Sequence, residues 1–282
     1  MKFKIYKWKK LKLIKSAIRF VLRRIDFVTR RFGRSIQIVR LIRPNEFYKL
    51  LDLITANQRR VPLIRIGGNG DGGYLVPDIL DSITACFSPG VGNSVRFELN
   101  LVEKGIKCFL ADGSIDRLPE NARNLFFLKK FLGIWSTDQI TTLEEWIDDC
   151  FPGSSNLLLQ MDIEGGEFEI ILSSKPELLR KFKIMVIEFH LLNQVLNVEG
   201  FGKFYATLSQ ILQDFYIVHI HPNNAGECIA VGDTFLYSTL EITFLRKDLF
   251  QGTIQSLLIP HPLDEQNVKH HPVITLDKMW IA

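Results

Sequence analysis

Cysteine is scarce in this chain: Cys86, Cys108, Cys150 and Cys228 are the only four among 282 residues, and no two stand as Cys-x-x-Cys. That scarcity excludes a disulfide framework and argues against a structural zinc site. It fits free thiols in a reducing compartment, with Cys86 and Cys108 inside apolar runs that read as core strands. Long apolar runs are missing too. None reaches the ~18 to 20 residues of a membrane span. No small-residue cleavage site follows a clean apolar stretch, so a secretory signal is not expected. Internal repeats and low-complexity tracts are absent. What remains is 46% hydrophobic, 23% charged and 11% aromatic. This balance excludes a disordered or collagen-like chain. The length suits one large α/β domain with an appendage, or two small domains.

Acid is almost lacking at one end. Residues 1–43 carry 15 Lys and Arg against the single acid Asp26, whereas the rest holds 20 bases and 30 acids. The expected organisation is therefore a basic arm at 1–43 and a domain at 44–282. Within that domain a linker and leading helix take 44–60, a core runs over about 61–250, and a tail occupies 251–282. In the arm, Leu11, Ile14, Ile18, Val21, Ile25, Val28 and Phe32 recur at steps of three and four, one stripe of a helix. Such a helix suits peripheral contact with an anionic membrane, on its inner, cytoplasmic face. It also suits packing on its own domain or in a dimer seam. Nucleic acid is the weaker partner, because no stacking aromatics or base-reading polar residues interleave with the basic ones.

Beyond Pro44 a helical pattern spans Glu46 to Asn57, and the glycine cluster Gly67-Gly68-Asn69-Gly70-Asp71-Gly72-Gly73 follows. The cluster reads as a close-approach ligand loop or as a plain hairpin connection. Strand-like runs come next at 82–87, 107–110, 124–128, 156–161, 183–187, 215–220, 235–237 and 240–245. Helical patterns at 94–104, 143–149, 168–172 and 201–213 fill gaps between them. Strand and helix in alternation predict a Rossmann-like α/β fold, a mostly parallel sheet with helices on both faces.

After the first of these strands comes Ser88-Pro89-Gly90-Val91-Gly92-Asn93, then a helix start; the second strand ends at Ala111-Asp112-Gly113. Two glycines let the backbone turn tightly beside a ligand at a helix N-terminus. Asp112 lies 20 residues after Gly92, where an acid accepts hydrogen bonds from a ribose diol. Ser88, Gly90, Val91, Gly92, Asp112 and Gly113 are thus the candidate contacts of an adenosine-containing cofactor. A dinucleotide needs a third glycine beside its pyrophosphate, and Val95 stands there. S-adenosylmethionine has no phosphate, so two glycines suffice. An NAD(P)-dependent oxidoreductase is the alternative.

The fourth of these strands leads into Met161-Asp162-Ile163-Glu164-Gly165-Gly166-Glu167, the fifth ends at Glu188-Phe189-His190, and the sixth carries His219 and His221. Acids and histidines at strand carboxyl ends are where open α/β sheets place ligands. The plainer reading makes Asp162 or Glu164 a helix start and each histidine a structural residue.

Asp-Gly-Gly-Tyr-x-Val-Pro (71–77), Phe-Ser-Pro-Gly-Val-Gly (87–92), Met-Asp-Ile-Glu-Gly-Gly-Glu (161–167), Ile-Glu-Phe-His (187–190) and Pro-His-Pro-Leu-Asp (260–264) together resemble FkbM-type methyltransferases. The resemblance covers roughly residues 60 to 270. It implies a class I S-adenosylmethionine-dependent enzyme that O-methylates a sugar, glycan or related hydroxylated metabolite. It also implies that Gly90, Gly92 and Asp112 hold the cofactor and that Asp162 lies where donor and acceptor meet. The sequence departs from the usual class I loop in its missing third glycine and in Ser88, which stands where an acid commonly meets the cofactor's amino group. Candidates for the base are His190 and Asp162, with Glu188 orienting and His221 as second choice. A divalent metal held by Asp162, Glu188 and a histidine is the less favoured route to an activated hydroxyl. A non-catalytic, membrane-associated binding module on the same fold is the remaining alternative.

Overall fold

The computed structural model describes residues 39 to 282, together with Phe20, Val21 and Ile25, which are helical and exposed. Apart from Val21 and Ile25, the predicted stripe from Leu11 to Phe32 lies outside the described residues. Contacts divide the chain into Met1–Leu41 and Ile42–Ala282. No helix among the described residues is long and apolar enough to cross a membrane.

The larger unit opens with helix α1 (Pro44–Ala56) and the antiparallel pair β1 (Leu63–Ile66) and β2 (Tyr74–Pro77). Strand β3 (Ala85–Pro89), helix α2 (Arg96–Glu103), β4 (Lys107–Ala111) and β5 (Leu125–Leu128) follow. Two short strands, β6 (Phe131–Leu132) and β7 (Ile140–Thr141), lead to α3 (Leu143–Cys150) and β8 (Leu157–Met161). Then come α4 (Glu167–Ser173), α5 (Pro176–Leu179), β9 (Phe182–Phe189), α6 (Val198–Asp214) and β10 (Phe215–Pro222). A small hairpin, β11 (Cys228–Val231) and β12 (Thr234–Tyr237), precedes the last strand, β13 (Leu240–Arg246).

Seven strands form the central sheet in the order β10-β13-β9-β8-β3-β4-β5. Neighbours from β9 to β5 are parallel, while β13 is antiparallel to both β9 and β10. The Rossmann-like α/β fold is therefore as predicted. Strands buried on both faces need continuous apolar runs, and all five residues of β8 are buried. One face packs Phe87, Trp146, Phe189 and Phe204, the other Cys86, Val95, Phe97 and Val186. Helix starts are fixed locally: Thr142 Oγ1 accepts from the Glu145 amide, and Asn197 Oδ1 accepts from the Gly200 amide. At α1, Pro44 takes the first turn, Glu46 accepts from the Arg43 amide, and Phe47, Leu50, Leu51 and Ile54 are buried at helical spacing.

Two features were not visible in the apolar pattern. Strands β1 and β2 are only four residues long, with Arg65 in one and Pro77 in the other, too short for alternation to show. The glycine cluster is their hairpin loop. The Arg65 guanidinium donates to the carbonyls of Gly68 and Gly70, both at 3.0 Å. The tail is also part of the fold, because Gln58 donates to the Trp280 carbonyl and accepts from the Ala282 amide.

The chain runs from β3 outward through β4 to β5, then returns to place β8 on the other side of β3. This reversal opens a crevice at the carboxyl ends of β3 and β8, where such sheets bind ligands.

Candidate functional site

At the crevice two loops meet backbone to backbone. The Asp162 amide donates to the Pro89 carbonyl at 3.2 Å, and the Gly90 amide donates to the Ala111 carbonyl at 3.0 Å. Gly90 has φ +85°, and a Cβ there would lie 1.6 Å from the Asp162 carbonyl oxygen. Only glycine fits. Asp112 fastens the same turn: its Oδ2 accepts from the Val91 amide at 3.0 Å, its Oδ1 from the Ser114 amide and hydroxyl at 2.7 and 2.6 Å. Burial pushes the Asp112 carboxyl up, but these hydrogen bonds outweigh it and hold it below the usual range.

Gly90, Val91, Gly92 and Asp112 line a cavity of about 590 Å³. Ser88 and Gly113 stand behind its wall. Ser88 Oγ lies 2.5 Å from Glu98 Oε1 and 2.6 Å from Gln160 Oε1, and both of those residues line the cavity. Gly113 is covered by the Phe131 ring. Val95, at the missing third glycine, is fully buried, so a branched side chain fills the helix–sheet contact that glycine would leave close. Asp71, Glu98, Asp112, Asp162 and Glu164 all line the cavity, and no Lys, Arg or His among the described residues does.

The second end of the site is built around His190. Helix α4 starts at Glu167 with Gly166 as its cap, so Asp162 and Glu164 lie on the preceding loop and not at a helix start. Fully buried Glu167 holds that loop: its Oε1 accepts from the Ile163 and Gly165 amides and pairs with His190 Nδ1 at 3.0 Å. His190 Nε2 then faces Asp162 Oδ1 at 3.7 Å and Glu164 Oε2 and Glu188 Oε1 at 3.6 Å. Glu188 accepts from the Tyr74 hydroxyl and the Asn223 amide. Asp162 Oδ1 is shut off from solvent and has no hydrogen-bond partner.

These groups titrate together. Burial lowers the affinity of the His190 ring for a proton, but Glu167, Glu188 and Asp162 outweigh burial and raise its pKa to about 9. Burial and the Glu188 charge raise Asp162 to about 8. The two groups act on each other: the His190 charge pulls the Asp162 carboxyl down against its burial and Glu188, and Asp162 helps raise the ring. Asp162, Glu164 and His190 also present donor atoms within 4.8 Å of one another, a spacing that suits a divalent cation. The set expected from sequence contained Glu188 instead, whose two oxygens are taken by Tyr74 and Asn223.

His221 joins a different group. It lies 3.6 Å from Asp264 Oδ2, while His219 Nε2 lies 2.9 Å from Asp264 Oδ1, beside a separate cavity of about 250 Å³. Burial pushes the Asp264 carboxyl up, but the hydrogen bond from His219 and the nearby His221 ring hold it well below the usual carboxylate range. A depressed folded pKa contributes stability above the unfolded value of ~3.9 that is lost as pH falls. Buried His219 is lowered, so it too resists protonation once pH drops below ~6.5. Protonation of Asp264 should therefore cost roughly 1.5 to 3 kcal/mol of stability below pH 4. Thermal melts from pH 7 to 2.5 check this. An Asp264→Asn variant with the same loss below pH 4 would locate the acid sensitivity elsewhere.

Sequence reading missed Asp71, Tyr74, Glu98, Gln160, Glu167, Asn223 and Asn267 as site residues. For Glu98 a signal exists: an acid beside Phe97 and Leu101 on the buried face of α2.

No protein-family model matches the chain, and no curated protein matches it. A solved structure from Pyrococcus horikoshii, provisionally described as an RNA methyltransferase, is similar to 59% of this chain and 76% of its own, at 11% identity and a TM-score of 0.32. That score carries no inference about chemistry.

Proposed function

We propose that this chain is an S-adenosylmethionine-dependent methyltransferase of the FkbM type, acting on a hydroxyl of a sugar, glycan or related metabolite. The observation that carries this reading is the charge of the cavity. Five carboxyls and no basic residue line it. Such a wall repels the pyrophosphate of a dinucleotide and attracts a donor bearing a sulfonium and an ammonium. The donor set fits the cofactor: Asp112 and the Gly90–Gly92 turn meet the ribose end, and Asp162 meets the reacting end.

When bound, the cofactor supplies an electrophilic methyl group on positive sulfur. A positive charge next to Asp162 favours its ionised form, so the methyl donor would add to the pull that the His190 ring already exerts on that carboxyl. Asp162 Oδ1 then takes the proton of the acceptor hydroxyl, while His190, held by Glu167, donates a hydrogen bond from Nε2. His190 is thus the positioning residue and Asp162 the base, with Glu188 fixed by Tyr74 and Asn223. The adjoining cavity of about 260 Å³, bounded by Asp71, Glu188, His190 and Asn267, receives the acceptor. A second reading places a divalent cation on Asp162, Glu164 and His190, where it would polarise that hydroxyl.

Calorimetric titration tests the cofactor. S-adenosylhomocysteine should bind and NAD should not. Asp112→Ala should weaken binding by ~1.5 to 3 kcal/mol, through lost ribose contacts and a loosened turn. NAD binding without S-adenosylhomocysteine binding would overturn the reading, and an Asp112→Ala variant that binds like the parent would overturn the placement of the ribose.

A further inference from the structure

We propose that Glu98 recognises the amino-acid end of the methyl donor, its carboxylate receiving the α-ammonium at the floor of the crevice. The assignment rests on the cofactor reading above.

Glu98 is a carboxyl with 5% exposure that lines the cavity wall and has no basic partner there. Its surroundings are one donor short. Ser88 carries a single hydroxyl proton, yet it stands at hydrogen-bond distance from both Glu98 Oε1 and Gln160 Oε1. If the Gln160 amide is turned over, its NH₂ donates to Ser88 and the Ser88 proton goes to Glu98. The carboxylate still lacks a cation. An uncompensated buried charge is costly, so it either holds a proton or waits for a positive ligand. Burial indeed pushes the Glu98 carboxyl up.

Position along the sheet says which part of the ligand arrives. Across the carboxyl ends, from β5 through β4 and β3 to β8, the cavity wall offers Phe131 and Leu132, then Asp112 and Ser114, then Glu98, then Asp162. The apolar pair suits a purine face, Asp112 a ribose diol, and Asp162 the methyl group and its acceptor. The ammonium of the cofactor's aminobutyrate tail is the group left to place. Ribose, methyl and tail all join at one sulfur, so a tail would lie within reach of the floor over β3, the place left to fill. An ammonium would bring the cation that this carboxylate lacks, together with three donors.

The test compares two ligands. S-adenosylhomocysteine has the amino-acid tail; 5′-methylthioadenosine has the same adenosine and thioether without it. In Glu98→Gln, which keeps shape and a contact to Ser88, affinity for S-adenosylhomocysteine should fall ~10- to 100-fold while that for 5′-methylthioadenosine stays unchanged. Equal losses for both ligands, or none, would overturn the assignment. The parent itself should bind S-adenosylhomocysteine more tightly than 5′-methylthioadenosine. Because that readout needs no variant, equal affinity of the parent for the two ligands would overturn the proposal even if Glu98→Gln misfolded. A parent that binds neither ligand would instead sink the cofactor reading, and Glu98 with it.

Discussion

Replacing Asp162 with Asn should lower turnover with a confirmed acceptor by ~10²- to 10⁴-fold and leave S-adenosylhomocysteine bound. The size follows from what the oxygen lacks. Asp162 Oδ1 has no hydrogen-bond partner and no solvent, so its free lone pair is reserved for something that arrives. Asn keeps the shape and the amide contact to Pro89, but it cannot take a proton. Dialysis against a chelator separates the two roles open to Asp162. Turnover that survives chelation assigns it as the base. Turnover lost on chelation and restored by Mg²⁺ or Mn²⁺ makes it a ligand, together with Glu164 and His190. Full activity in Asp162→Asn would remove it from the chemistry altogether.

Gly90→Ala should be the most damaging single methyl group in the domain. The added carbon would stand 1.6 Å from the Asp162 carbonyl oxygen and 2.7 Å from its carbon, on a backbone with φ +85°. Strain of that kind costs ~1 to 3 kcal/mol by itself, and the loops after β3 and β8 must part besides. The expected destabilisation is ~2 to 5 kcal/mol, with loss of S-adenosylhomocysteine binding. Gly92→Ala is the control. Its φ is +55°, but a Cβ there meets nothing within 4 Å, so its cost should stay near ~1 to 2 kcal/mol. Denaturant unfolding and ligand titration on both variants measure the difference. Similar values for the two would show that the crevice tolerates separation of its loops.

The central sheet was legible because each of its strands is a short apolar run bounded by turn residues. The Gly90–Gly92 turn and Asp112 were legible because they are local: strand, turn, helix and acid follow in order. The geometry around His190 was not. His190 and His221 both end strands that are neighbours in sequence reading, yet β13 inserts between β9 and β10. That insertion carries His221 to Asp264 and leaves His190 among carboxylates. Glu98 was overlooked because its partners, Ser88 and Gln160, come from two different strands. Tyr74 and Asn223 fix Glu188 across separations of 114 and 35 residues, which no spacing rule reaches. The electrostatics behind proposing Asp162 over His190 as base are equally non-local, since three carboxylates from separate segments raise the one ring.

The side chain of Asn267 has a consequence for when the site is completed. Its amide bridges Asp71 and Glu241, closing the smaller cavity between the glycine-rich hairpin and the tail. Asp71 leaves the ribosome 196 residues before Asn267 does. A nascent chain released to about residue 250 already carries Asp112, Asp162, Glu188 and His190, but not the wall beside them. During synthesis the crevice at the ends of β3 and β8 can therefore form first, and the smaller cavity next to it is walled only with the tail.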